Sequence, residues 1–367
     1  MAEARYIEGA GARIPSLDGL RAIAVGLVIL SHLTGSAGFP AISIYPATGL
    51  TGVRLFFVIS GFLITGILQS EYRRSGTVRL GRFYLRRTFR IFPPYYAFLF
   101  LVAVGGALGF FPVPWRSLLR CAAYLSNYGS PAGYPLGHAW SLAVEEQFYL
   151  MWPALLLLLG LARARWATIV ILLAVPIVTL LETRAGVPTV GRSFETVSNF
   201  LAAGCALALW RDDLERAPLF QWLMRNSWIP LAALLLVLFE PYIHSFPHQR
   251  LLTSSMQVIT LPLLLMWAVK NPLSGAGRLL NAKPVAYVGR LSYSLYLWQQ
   301  PFITSHSLGG AARRFPAGLL LAVAMAVASF YLVEQPALRW RGRFERRKLP
   351  VDIDADSPTT KATTESL

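Results

Sequence analysis

The sequence predicts an all-α, polytopic membrane protein of about ten transmembrane helices, with both termini in the cytoplasm. Three observations carry that reading. The 367 residues are 55% hydrophobic and only 14% charged, where soluble proteins carry roughly 25% charge. Mean hydropathy is +0.50, and apolar runs close to bilayer-spanning length recur along the whole chain. Finally, Lys and Arg concentrate in alternate loops, 25 of the 34 falling on one side. Basic loops stay in the cytoplasm, so that side holds both termini of a multi-pass membrane protein.

The spans fall at roughly 17–35, 51–69, 92–111, 141–160, 167–182, 194–210, 228–240, 251–269, 285–303 and 316–336. The seventh is short enough to be tilted or partial. Residues 112–140, rich in Pro, Gly and aromatics, form a long connection with a re-entrant piece expected around Ser117–Leu125. The first span is followed by others, which argues against a cleaved signal peptide. The domain reading is a cytoplasmic segment at 1–16, a membrane domain at 17–340 and a basic, then disordered, tail at 341–367.

The net charge of +16 would suggest nucleic acid in a soluble chain. Here topology accounts for it, and no nucleic-acid partner is expected. Cys121 and Cys205 make no disulfide framework and have no metal-ligand spacing, so no metal is expected. His244, His248 and His306 fall in loops and carry no assignment.

Ionisable groups at membrane depth are costly and point to function or to a pairing partner. The first span, SLDGLRAIAVGLVILSHL, holds Asp18, Arg21 and His32. Arg21 and His32 are eleven residues apart, which on a helix is about 20° in direction and ~16 Å in height. Asp18 and Arg21 are an i,i+3 pair able to neutralise each other. All three lie on one stripe, with Asp18 and Arg21 low and His32 near the outer end.

The block HAWSLAVEEQFYLMWP brings His138, Glu145 and Glu146 to the outer end of the fourth span, the expected level of His32. A carboxylate on one imidazole nitrogen leaves the other free as a base. Alternatively the Glu pair caps the helix end with Arg54 as counter-ion. In RLGRFYLRRTFRIFPPYY, Arg79, Arg82, Arg86, Arg87 and Arg90 crowd the cytoplasmic entrance of the third span. They either set topology against anionic lipid or clamp a phosphate. GRLSYSLYLWQQP contributes Tyr293, and YLVEQP places Glu334 at the inner end of the last span. For Glu334, a salt bridge to Arg21 or the Arg cluster is as good a reading as catalysis.

Taken in order, LDGLRAIAVGLVILSH, GVRLFFVISGFLI, RRTFRIFPPYY, HAWSLAVEEQFYLMWP, GRLSYSLYLWQQP and YLVEQP resemble the membrane acyltransferase-3 family of bacterial O-acyltransferases. The likeness runs from about Leu17 to Pro336. It implies transfer of an acyl group, most simply acetyl, from cytosolic acyl-CoA to a hydroxyl of a glycan or lipid-linked sugar; some relatives acylate macrolides. It also implies His32 as catalytic base, Arg21, Arg87 and Arg90 as essential basic positions that bind the donor, and Glu145 as the acidic position, with Glu146 more variable. Asp18, His138, Glu146, Tyr293 and Glu334 stand as supporting residues. Trp298-Gln299 departs from the Trp-His pair frequent in the family, which puts a proton-transfer role there in doubt. The esterase-like domain fused to some relatives is not expected after the last span.

The mechanism expected is an Arg-anchored donor whose pantetheine arm reaches past Arg21 to His32, with Glu145 or another carboxylate orienting the imidazole. A transporter of glycan lipids or anionic metabolites is the alternative that intramembrane charge and a basic mouth also suit.

Overall fold

The computed structural model describes residues 14–347 except 35, 41–44, 227, 234, 236–246 and 304–313. Residues 234 and 236–240 of the seventh expected span lie outside these residues, as do 1–13, the tail from 348, His244 and His306; the side chain of His248 does too. The described residues contain helices and connections and no strand.

The helices are α1 (Leu17–Leu33), α2 (Tyr45–Ser75), α3 (Leu80–Ala107), α4 (Trp115–Ala122), α5 (Ala139–Arg184), α6 (Phe194–Leu209), α7 (Arg211–Arg216), α8 (Pro218–Arg225), α9 (Pro247–Lys270), α10 (Gly275–Asn281), α11 (Lys283–Trp298) and α12 (Ala317–Ser329). A π-helical turn at Phe330–Glu334 leads into α13 (Gln335–Arg347). Four stretches are long and apolar enough to cross a bilayer: Thr48–Ser75, Leu80–Ala107, Ala139–Arg184 and Ala317–Gly342. A fifth candidate is Thr253–Lys270 with Gly275–Asn281, bent by 86°. The expected fourth and fifth spans are one helical run broken at Gly160, whose φ of 70° and ψ of 167° interrupt the helix. The expected re-entrant piece overlaps the short helix α4, with Ser117 and Cys121 buried.

The outside of the bundle is apolar. Val170, Leu173, Ile177 and Leu181 form an exposed stripe at helical spacing, and Leu158 and Leu332 are also exposed. Water would not favour such a surface; lipid does. Inside, small residues let helices touch, as is usual where lipid supplies no hydrophobic drive between helices. A Cβ on Gly61 would stand 2.1 Å from the Leu201 carbonyl oxygen, and one on Gly204 2.1 Å from that of Val58. These reciprocal contacts seat α2 on α6.

α1 runs antiparallel to α2, with Gly49 on Ser31 and Gly52 on Ala24. It runs parallel to α11. Gly289 sits on the Asp18 backbone at the low end, and His32 meets Gln299 just past the high end of α11. Below them, Ser16 adopts φ 65° and trades hydrogen bonds with Asn281: its N–H donates to Oδ1 at 2.8 Å, and Nδ2 donates to its hydroxyl at 3.0 Å. These contacts set the register that brings α1 and α11 together around the polar residues.

The register is testable. A Cβ at Gly289 would lie 1.8 Å from the Asp18 carbonyl oxygen, whereas one at Gly26 meets nothing within 4 Å. Gly289→Ala is expected to cost about 3 kcal/mol, at the upper end of overpacking losses. Gly26→Ala should leave thermal unfolding in detergent unchanged.

Candidate active site

Two linked regions gather the polar residues. The lower one is a cleft of about 780 Å³, its open mouth included, between α1, α2, α3, α5 and α11. Arg21, Arg87 and Arg90 line it together with Glu145, Glu146, Ser60, Tyr149, Tyr293 and Tyr296. Three guanidinium groups therefore face one cavity. Arg21 has Asp18 at 3.7 Å. Arg87 lies over the rings of Tyr149 and Phe83, 5.1 and 5.8 Å from their centroids. Among the described residues, neither Arg87 nor Arg90 has a hydrogen-bond acceptor or an ion-pair partner within contact distance. Such an array suits an anion with several oxygens.

Glu145 accepts from the hydroxyls of Ser60 at 3.1 Å and Tyr149 at 3.3 Å. The Tyr149 hydroxyl also reaches Ser60 at 3.1 Å. Glu146 leaves Oε1 buried without a partner. Tyr293 donates to the Ile91 carbonyl at 3.0 Å, tying α11 to α3. Glu334 is buried on the π-helical turn and accepts from Ser294 at 3.1 Å. No ion pair joins it to Arg21 among the described residues.

The upper region surrounds His32. Its Nδ1 lies 2.7 Å from Gln299 Oε1. An amide oxygen only accepts, so Nδ1 carries the hydrogen and Nε2 keeps a free lone pair. Next to it, Gln300 Oε1 accepts from the backbone N–H of His138 at 2.8 Å and also bonds the ring Nδ1. His138 is the residue before α5 and stacks edge-on against Phe98 and Tyr296. Tyr296 bridges the regions: its hydroxyl bonds Ser141 and the His138 carbonyl while its ring borders the cleft.

This geometry corrects three expectations. Glu145 does not orient His32; a neutral amide does. Helix α5 begins only at Ala139 and descends, so Glu145 lies seven residues, or ~10 Å, below His138. That brings it to the arginine level. Arg54 is not the counter-ion of the Glu pair, for its guanidinium donates to Gln257 at 2.7 Å and Ser254 at 2.9 Å. The departure at Trp298-Gln299 falls at the imidazole itself. Gln299 was missed because an uncharged amide gives little signal. The signal that does exist is Gln299-Gln300, a polar pair closing an aromatic, apolar helix.

Comparison with known proteins agrees with the six blocks. The Acyltransferase domain profile matches residues 14–334. The chain belongs to the acyltransferase-3 family. Peptidoglycan O-acetyltransferase OatA of Listeria monocytogenes is 30% identical over 327 residues, covering 79% of this chain and 49% of that protein. The putative peptidoglycan O-acetyltransferase YrhL of Bacillus subtilis is 32% identical, over 79% and 48% respectively. O-acetyltransferase OatA of Staphylococcus aureus is 31% identical, over 88% and 57%. The acyltransferase-3 chain thus spans about half the length of the curated relatives it matches. No solved structure matches it. Family membership and the apolar helices together make it an integral membrane protein.

Proposed function

We propose that this chain is a multi-pass O-acyltransferase of the bacterial cytoplasmic membrane. It moves an acetyl group from cytosolic acetyl-CoA to a hydroxyl of a cell-wall glycan or its lipid-linked precursor. The observation that carries the reading is the cleft whose wall holds Arg87 and Arg90, without an acceptor among the described residues, while Arg21 on the same wall stands ~16 Å of helix rise below an imidazole with a free nitrogen. The relatives named for peptidoglycan favour a glycan acceptor over a macrolide. In the topology proposed here, of ten spans with both termini inside, the arginines lie at the cytoplasmic face and His32 toward the outer one.

In this mechanism Arg87 and Arg90 hold the phosphates of coenzyme A. The pantetheine arm follows α1 past Arg21 and covers the ~16 Å to His32. The acceptor hydroxyl oxygen attacks the thioester carbonyl carbon while His32 Nε2 takes its proton. The tetrahedral intermediate then expels sulfur, and the imidazolium returns the proton to the thiolate. The products are the ester and free coenzyme A, and His32 ends neutral. Holding both reactants in one geometry lowers the entropic part of the barrier.

The purified chain, given labelled acetyl-CoA and a muropeptide-type acceptor, is expected to release coenzyme A and label the acceptor. Movement of acceptor without thioester cleavage would contradict the reading. Arg87→Ala and Arg90→Ala should each raise KM for acetyl-CoA roughly tenfold or more, the scale of one lost charge-assisted hydrogen bond, with kcat little changed. Steady-state kinetics over a range of donor concentrations checks this.

A further inference from the structure

We propose that a groove between α2, α5 and α6 binds a membrane phospholipid, and that the lipid it fits is the zwitterionic phosphatidylethanolamine. The groove holds about 700 Å³, its open mouth included, and its walls carry Gln69, Arg73, Leu161, Arg165, Trp166 and Trp210. It shares no residue with the arginine cleft, so the inference does not depend on the acyl-transfer reading.

Both guanidinium groups are held in place before any ligand arrives. Arg73 donates to Asp212 at 2.8 Å. The Gln69 amide, turned so that its nitrogen donates to the Ala208 carbonyl, accepts from Arg73 at 3.0 Å. Arg165 lies 2.9 Å from Asp213 and 5.1 Å from the ring centroid of Trp210. Trp166 meets Trp210 edge to face at 5.5 Å. A guanidinium has more N–H donors than these contacts use. Two fixed cations on one groove therefore suit phosphate oxygens. Asp212 and Asp213 stay about half exposed on the α7 side of the pairs, where they can accept from an ammonium group. A phosphate carrying an ethylammonium group matches that polarity. A glycerol headgroup offers the carboxylates no cation.

Position favours a lipid over a soluble anion. The groove forms at the ends of α2 and α6, beside the break at Gly160. In the proposed topology this is the cytoplasmic interface, where Trp side chains anchor and basic pockets between spans take lipid headgroups. Trp166 is itself the first residue of the exposed apolar stripe. Val170, Leu173, Ile177 and Leu181 follow it on the same helix face, all exposed. A charged groove thus opens at the foot of an apolar track. A headgroup seated in the groove directs its acyl chains onto that track.

The test uses the purified full chain in detergent, stripped of native lipid. Phosphatidylethanolamine is expected to raise the melting temperature and to remain bound in native mass spectrometry. Its apparent Kd should lie roughly tenfold below that of phosphatidylglycerol, the scale of one charge-assisted hydrogen bond. Glycerophosphoethanolamine, the same headgroup without chains, should give no shift at the same concentrations. Arg165→Gln should weaken phosphatidylethanolamine by roughly tenfold, again one charge-assisted contact. Equal affinity for the two phospholipids, equal protection by the headgroup alone, or unchanged affinity in Arg165→Gln overturns the proposal.

If Arg165→Gln does not fold, phosphatidylethanolamine with a photoreactive acyl chain decides on the wild-type protein. Crosslinks are expected to concentrate on the face from Trp166 to Leu181 and to be competed by unlabelled phosphatidylethanolamine. Labelling spread evenly over the apolar surface of the bundle overturns the proposal.

Discussion

Replacing His32 with alanine is expected to lower kcat by about 10³-fold, within the range of a lost general base. The protein should still fold, because the change removes one side-chain hydrogen bond, to Gln299, and leaves the Gly289 contact that sets the α1–α11 register untouched. Donor affinity should be unchanged, since Arg21 on the cleft wall sits ~16 Å of helix rise below His32. Single-turnover kinetics with equilibrium binding of acetyl-CoA measures both quantities. A folded His32→Ala protein that keeps its rate would remove the base from the mechanism. One that loses donor binding would contradict the separation of the two regions.

The second large effect is expected at Glu145. Its carboxylate accepts from Ser60 and Tyr149 and faces the same cleft as Arg21, Arg87 and Arg90. Alanine leaves the Ser60 hydroxyl short of an acceptor, while Tyr149 can still donate to Ser60 at 3.1 Å, and leaves Glu146 as the remaining carboxylate on the cleft wall. The expected cost is about 1–3 kcal/mol of stability, with kcat/KM about 10²-fold lower, the scale of ~3 kcal/mol of lost positioning. A polyanion should replace part of the missing negative charge. Coenzyme A is therefore expected to raise the melting temperature of Glu145→Ala more than that of the wild type. Glu145→Gln, which keeps an acceptor oxygen, should lose less stability. Equal thermal shifts from coenzyme A in all three proteins would show that Glu145 does not balance the donor site.

Much of this arrangement was legible in the sequence, for identifiable reasons. The first helix follows its apolar run: α1 covers Leu17–Leu33, within the 17–35 expected. The low position of Arg21 and the high position of His32 follow from helix rise alone. The arginine cluster was visible as density, although of its five members only Arg87 and Arg90 line the cleft. The depth of Glu145 was not legible. Placing it beside His32 ignored where α5 begins: each residue after His138 moves the chain down, and seven residues carry the carboxylate to the level of Arg21. The break at Gly160 was legible, because the fourth expected span ends at 160, where φ 70° and ψ 167° interrupt the helix. Gln299 illustrates a different limit. Sequence reasoning weighs charge, and the partner of the base is a neutral amide 267 positions away from it in the chain.

The central claim is that the arginine cleft and His32 are two ends of one path, with donor entering at one face and acceptor at the other. The most direct measurement uses proteoliposomes with the chain in a single orientation. Labelled acetyl-CoA is confined to the arginine side, and a glycan acceptor is supplied only on the His32 side. The account predicts labelled ester on the acceptor, with coenzyme A accumulating on the donor side and neither product in His32→Ala. Transfer that occurs only when donor and acceptor share the same compartment would contradict it.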